Sequence, residues 1–401
     1  MTLVFERPSE APQTHAIVIG VGHFPHLDGT NAELMKELRT VDGVTSPPNN
    51  ARAIATWLIA AADRLVPPLS SVELLISEKD GSVAQFPRAA HTPAARQSDD
   101  VDRATGDNAS KALTDWLKRC ETGPNNLALF YGSSHGMQAQ EHILLLEDAG
   151  KDAFDPWRNM LSLNHLHRNL YKKTHKRSVL LADCCRNLLE GGITSLDDFS
   201  GRRIGNISQL EYAKARNEAD RFVYLLRASP PGVVAKATKN GLGYLTEALL
   251  KCLDGGAGEK KPEHGWCISP GRLRGWVEAA GRYGLGIEDP DLRPIDDDSA
   301  WDNTPILKLE AMPRYPVRVR EASVLDLGRA TLTLAQPATA FLEQRQPCLD
   351  HVHALCAWVP PSMDDYEAAG EIVEPGVGAV ALQTVAVPVI SDGQDVALRR
   401  S

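Results

Sequence analysis

Apolar residues follow two rhythms along this chain. Ala16 to Val21 is a continuous apolar run rich in β-branched residues. Such a run predicts a strand buried on both faces of a parallel sheet. The texture recurs at Val72 to Ser77, Asn126 to Tyr131, Ser178 to Ala182 and Arg221 to Leu226, predicting five core strands, and residues 142–148 (HILLLED) predict a further short one. Helical spacing fills the intervals. Pro47-Pro48-Asn49-Asn50 opens ARAIATWLIAAADRL, which Pro67 and Pro68 end. Asn108-Ala109-Ser110 starts KALTDWLKRC, which stops before Gly123-Pro124. LNHLHRNLYKKTHK is helical in character, and GYLTEALLKCL follows Pro230-Pro231-Gly232. Strands alternating with helices at this spacing predict an α/β fold with a doubly wound, mostly parallel sheet, whose chemistry gathers at the carboxyl ends of the strands.

The remaining stretches divide the chain. Residues 1–12 read as a polar tail, 79–107 as a mobile surface loop, and 186–219 as a long polar connection. From about residue 313 the pattern changes to short strands between turns, as in PVRVREASVLDLGRATLTL and GAVALQTVAVPVI. The expected organisation is therefore a tail (1–12), an α/β domain (13–312) and a small all-β domain (313–401), with no internal repeat.

Composition narrows the classes. The chain has 401 residues with 43% hydrophobic and 24% charged, an ordinary globular mixture. Its formal charge of −9 argues against a mainly electrostatic nucleic-acid binder. No window approaches the length of an apolar membrane span, so no membrane partner is expected. The N-terminus lacks a basic-then-apolar signal pattern, and seven scattered cysteines do not form a secreted disulfide framework, so the cytoplasm is the expected compartment.

Two polar clusters stand at the ends of predicted core strands. The third strand ends in Ser134-His135-Gly136 and the fourth in Asp183-Cys184-Cys185-Arg186. A thiol and an imidazole at neighbouring strand ends can form a Cys–His dyad, in which the imidazole activates the thiol and later protonates the leaving amine. The backbone N–H groups of Gly136 and Cys185 could form an oxyanion hole, and a glycine after the histidine would let a substrate carbonyl approach closely.

These residues resemble the caspase-like cysteine peptidases: caspases, metacaspases and paracaspases. Asp183-Cys184-Cys185-Arg186 fits the Asp-x-Cys-His/Arg form of the nucleophile motif, and His135 in Ser-His-Gly lies 50 residues upstream, the family's spacing. HAIVIGVGHF is similar to the family's first strand, and Ser229-Pro230-Pro231-Gly232 with Gly243-Tyr244-Leu245-Thr246 to its fifth strand and next helix. The resemblance covers roughly residues 13 to 290. It implies a caspase-like fold, Cys185 as nucleophile, His135 as its proton partner, and Cys184 at a position where caspases carry alanine. Strand alternation sends the two cysteines to opposite faces.

In metacaspases and paracaspases the acid two residues before the nucleophile lines the P1 pocket. Asp183 is thus implied to bind an Arg or Lys side chain, which a carboxylate can hold bidentately. A second pocket acid common in relatives is replaced here by Val234-Ala235-Lys236-Ala237. The linker Ser200-Gly201-Arg202-Arg203-Ile204-Gly205 is of the kind that relatives cut during activation, which makes Arg202 or Arg203 a candidate self-cleavage site. Calcium, which metacaspases often need, has Asp99-Asp100-Asp102 and Asp296-Asp297-Asp298 as candidate runs, each also readable as a solvated loop. No other cofactor is called for. By analogy with bacterial proteases of antiphage cell-suicide systems, the expected partners are a pore-forming or regulatory protein substrate and an activating partner.

Three rival readings remain. Gly132-Ser133-Ser134-His135-Gly136 matches the Gly-x-Ser-x-Gly elbow of serine hydrolases, with Asp183 and His264 following in order. MQAQEHILLLEDAG is a poor match to the helix such an elbow needs. His165-x-His167 does not make a recognised zinc spacing. A catalytically inactive caspase-like scaffold would keep the fold, although the intact His135–Cys185 pair argues against it.

Overall fold

The computed structural model describes residues 2–27, 43–138, 141–152, 158–188, 221–233, 235–237, 241–287, 293–296, 304–321, 330–339, 341–345, 354–362, 364–374, 378–389 and 393–399. The first part of the chain runs β1 (Leu3–Glu6), β2 (Thr14–Val21), α1 (Ser46–Ala60), β3 (Leu69–Ser77), α2 (Gly106–Cys120), β4 (Leu127–Ser134), β5 (Gly136–Gln138), β6 (His142–Leu145), β7 (Met160–Ser162), α3 (Leu163–Leu170), β8 (Arg177–Cys184), β9 (Asn187–Leu188), β10 (Phe222–Arg227) and α4 (Tyr244–Lys251). The five apolar runs read from the sequence are β2, β3, β4, β8 and β10. They pair in the order β3-β2-β4-β8-β10, all parallel. Ile17, Val18 and Ile19 are buried without exception, as a strand covered on both faces requires.

Helix packing follows from small residues and caps. A Cβ on Gly20 would lie 2.5 Å from the Pro47 carbonyl oxygen, so glycine lets α1 sit directly on β2. The helix α2 starts two residues before the sequence reading, because the Thr105 hydroxyl accepts a hydrogen bond from the Asn108 N–H at 3.4 Å. The segment placed in a polar tail is corrected: Leu3–Glu6 adds antiparallel to β3, burying Val4 and Phe5. Three apolar residues carry no readable period, and their partner edge exists only in the folded sheet. The stretch between β3 and α2 is irregular, as read, yet packed: Phe86 and Val101 are buried, and the Arg96 guanidinium donates to the carbonyls of Phe86 and Asp99.

Beyond the carboxyl end of the main sheet a second, four-stranded sheet forms in the order β7-β6-β5-β9. Its strands β5 and β9 continue directly from the two polar clusters singled out above.

The chain continues through β11 (Glu259–Lys261), β12 (Gly265–Ile268), α5 (Pro270–Ala279), β13 (Ile295–Asp296), β14 (Leu307–Lys308), β15 (Tyr315–Glu321), β16 (Ala330–Gln336), β17 (Phe341–Arg345), β18 (Ala354–Val359), β19 (Tyr366–Glu374), β20 (Gly378–Ala381), β21 (Val385–Val387) and β22 (Gln394–Leu398). Of these, β13 returns to the main sheet, antiparallel to β10. The late strands form the sheets β18-β15-β22 and β17-β16-β19-β20, with β21 on β19, around a common core that includes Val317, Leu334, Val359 and Ile372. Two compact units result: residues 1–246 with 291–306, and residues 247–290 with 307–401. This division differs from one drawn at residue 313. Trp358 of β18 lies so close to Gly256 and Gly284 that a Cβ on either would come within 2.5 Å and 2.2 Å of the indole, which ties the segment around α5 to the β-rich unit.

Candidate active site

Strands β4 and β8 pair in register from Leu127↔Arg177 to Ser134↔Cys184. The next residue on each, His135 and Cys185, therefore leaves the sheet at the same level on adjacent strands. The two segments stay together beyond that point: Met137 pairs with Asn187 in β5 and β9, and the Arg186 guanidinium donates two hydrogen bonds to Gln138 Oε1 at 3.0 and 2.8 Å. The Leu145 N–H holds the His135 carbonyl at 3.0 Å, and the imidazole packs on Phe24 with ring centroids 5.2 Å apart. Gly136 is required by the opposite segment. A Cβ there would fall 2.3 Å from the Cys185 carbonyl oxygen and 3.1 Å from Cys184 Sγ.

Cys185 Sγ accepts the Ala235 N–H at 3.2 Å and faces the Ala235 carbonyl at 3.8 Å. Burial pushes the thiol above its ordinary value. The Ala235 N–H opposes that shift and the nearby Asp183 carboxylate adds to it. A thiol shifted in this direction favours the protonated form, so its use as a nucleophile would require a base to take the proton.

Asp183 points to the α1 and α4 side of the sheet. Its Oδ2 accepts from Asn50 Nδ2 at 3.1 Å, from the Thr246 N–H at 3.3 Å and from the Thr246 hydroxyl. Asn50 also donates to Ser133 Oγ at 2.9 Å and accepts the Gly243 N–H at 2.9 Å, which closes the network. Among the described residues every hydrogen bond of this carboxylate goes to Oδ2. Burial raises its pKa to about 6, against the lowering effect of the Thr246 bonds. Asn50 and Thr246 had no signal in the sequence reading beyond their places in the first turns of two helices.

On the other face of β8 stands a second sulfur–imidazole pair. Cys184 Sγ lies 3.2 Å from His142 Nε2, which is also 3.2 Å from the Cys185 carbonyl oxygen. Cys184 belongs to the apolar core with Leu144, Leu180 and Ala182, as its reading as a buried small residue implies. Burial, with Arg227 and Arg186 nearby, lowers the His142 pKa to about 3 and keeps the ring neutral. In the sequence His142 shows only as the start of a predicted strand. The β5–β6 hairpin is what folds it back beneath the cysteines.

The other candidates separate. Ser134 Oγ donates to the Leu145 carbonyl at 2.7 Å, and its strand continues into β5 instead of a helix, so the elbow geometry is absent there. His264 lies in the turn between β11 and β12, in the second unit. His165 Nε2 is 3.2 Å from Glu141, and His167 Nε2 is 3.2 Å from the Val223 carbonyl. Asp99 and Asp100 are engaged by Arg88 and Gln85, and Asp296 is in β13. Among the described residues no three His, Cys, Asp or Glu side chains gather as a metal site. Val234, Asp297, Asp298, Arg202 and Arg203 lie outside the described residues, and no described helix is long and apolar enough to cross a membrane.

Comparison with known proteins places this geometry in context. Residues 13–264 match the caspase domain of the Peptidase C14 family. An uncharacterized protein of Sinorhizobium fredii, y4kE, is 25% identical over 245 residues, which cover 59% of this chain and 65% of the relative, just under two thirds of its length. The crystal structure of caspase-1 from Spodoptera frugiperda aligns with a TM-score of 0.40 at 10% identity, over 78% of this chain and 99% of that one. With the family's domain matched over more than half of its length, the chain belongs to the Peptidase C14 caspase family of cysteine peptidases, which act on protein substrates.

Proposed function

We propose that the protein is an endopeptidase that cleaves polypeptides after arginine or lysine, with Cys185 as nucleophile and His135 as proton carrier. The observation that carries this reading is the in-register end of β4 and β8, from which His135 and Cys185 emerge side by side. As Cys185 Sγ attacks the scissile carbonyl carbon, its proton passes to His135. The S–C bond forms, and the oxyanion is met by the N–H groups of Gly136 and Cys185. Collapse breaks the C–N bond, His135 returns the proton to the amine, and water hydrolyses the thioester.

Asp183 is the proposed receptor for the basic side chain. Its Oδ2 is clamped by Asn50 and Thr246, and Oδ1 carries no hydrogen bond among the described residues. An anchored carboxylate whose second oxygen has no hydrogen bond among the described residues suits an end-on cation, which would accommodate lysine as well as arginine in place of the bidentate contact expected from the motif. A cation there would also offset the burial that raises the carboxyl pKa. The same specificity would make Arg202 and Arg203 self-cleavage sites. By analogy with related bacterial proteases, the natural substrate is proposed to be a pore-forming or regulatory protein of a cell-death or antiphage system.

The test is cleavage of fluorogenic peptides ending in Arg, Lys or Asp by wild type, Cys185→Ala and Ser134→Ala. Arg and Lys cleavage lost with Cys185→Ala and kept with Ser134→Ala is expected. Cleavage after Asp would leave the dyad standing and remove Asp183 from the pocket. Activity lost with Ser134 and kept without Cys185 would make the protein a serine hydrolase.

A further inference from the structure

The peptide joining Cys184 to Cys185 carries the Cys185 N–H, one of the two proposed oxyanion donors, so its orientation matters to the chemistry. His142 touches the chain on both sides of that N–H. Its Nε2 is 3.2 Å from Cys184 Sγ, one residue before, and 3.2 Å from the Cys185 carbonyl oxygen, just after. The histidine is itself fixed: it is fully buried, and its own N–H donates to Asn164 Oδ1 at 2.8 Å. From the opposite face the Ala235 N–H grips the Cys185 sulfur. Cys185 is thereby held by its side chain from one face and by its carbonyl from the other.

We propose that His142 is a positioning residue for the active site, donating its Nε2–H to the Cys185 carbonyl in the peptide that follows and touching Cys184 before it, and so holding the main chain of Cys185 on both sides of its oxyanion N–H. This role rests on the peptidase reading above. A carbonyl can only accept, so the bond selects the Nε2–H tautomer and leaves Nδ1 bare. Nδ1 is buried with no hydrogen-bond partner among the described residues. A buried polar nitrogen without a partner is unfavourable, and the flanking Met137, Ile143 and Leu144 form a core in which an apolar side chain would serve packing better. Packing alone therefore gives no reason for a histidine at this position. The neighbouring Gly136 leaves room for the Cys185 carbonyl to sit where Nε2 can reach it.

The experiment compares wild type with His142→Phe, which keeps volume and loses the donor, His142→Gln, which returns a donor at similar reach, and Cys184→Ala. Five quantities are measured: kcat and KM for an Arg peptide, the rate of Cys185 alkylation by iodoacetamide, the thermal midpoint, and the His142 tautomer in wild type by 15N NMR. Alkylation forms no oxyanion, so it separates thiol reactivity from oxyanion geometry. The expected result is the Nε2–H tautomer, with kcat about 100-fold lower in His142→Phe. KM and the alkylation rate should stay within twofold, most of the loss should return in His142→Gln, and Cys184→Ala should stay within about threefold. An Nδ1–H tautomer overturns the proposal whatever the activity. So does His142→Phe turnover within twofold of wild type, or a loss shared equally by alkylation and turnover. An active wild type with equally active His142 variants removes this role alone, whereas silence of wild type and Cys185→Ala alike removes the peptidase reading and this role together.

Discussion

Cys184 and Cys185 are chemically identical neighbours with opposite surroundings. Cys185 faces the α1 and α4 side, where Asn50, Ser133, Asp183 and Thr246 form a polar network. Cys184 faces the side sealed by β6 and the apolar core, with His142 as its polar contact. Burial pushes both thiols above their ordinary value, Cys184 further. Acidity therefore does not single out a nucleophile here. Cys185 retains 7% exposure and Cys184 1%, a difference in access that favours the proposed role of Cys185. One strand thus presents the proposed reacting group on one face and its proposed support on the other, because alternation separates adjacent side chains.

The largest effect is expected on the polar face. Asp183→Asn removes the charge while keeping an acceptor for Thr246, and should lower kcat/KM for Arg peptides about 100-fold or more, as loss of one partner of a buried charge pair does. In wild type the buried carboxyl, with its pKa raised to about 6, is protonated below that value and ionised above it. Arg-peptide kcat/KM should therefore rise with pH through about 6. A profile flat from pH 5 to 7, or an Asn variant as active as wild type, removes Asp183 as the cation site.

Gly136→Ala strikes both cysteines at once, since its Cβ meets the Cys185 carbonyl and the Cys184 sulfur. Stability should fall by about 1–3 kcal/mol in urea titration, the cost of overpacking. Turnover should fall about 100-fold as the two catalytic segments separate. Full turnover in this variant would mean that the close approach is dispensable. The smallest effect belongs to the sealed face: Cys184→Ala should cost about 1 kcal/mol of stability, near the value of one buried methylene-sized group, with kcat within threefold. Turnover lost with Cys184→Ala and kept with Cys185→Ala would invert the assignment of the two cysteines.

What the sequence determined by itself is the part written in unbroken local pattern. A strand covered on both faces needs a continuous apolar run, so β2, β3, β4, β8 and β10 were legible. Because chemistry collects at the ends of such strands, the pattern also marked His135, Asp183 and Cys185 as candidates, and their proposed roles await the tests above. The short edge strand β1 was not, since its pairing with β3 is antiparallel and non-local. Nor was the allegiance of the α5 segment, which the fit of Trp358 against Gly256 and Gly284 decides. Only the tertiary structure could show what holds the site. Asn50 reaches Asp183 from 133 residues away, Thr246 from 63, and His142 reaches Cys184 from 42. A hydrogen bond between distant segments leaves no periodicity in either. The sequence carries the candidate reacting groups at strand ends, and the sheet register and the β5–β6 hairpin decide which buried polar groups meet them.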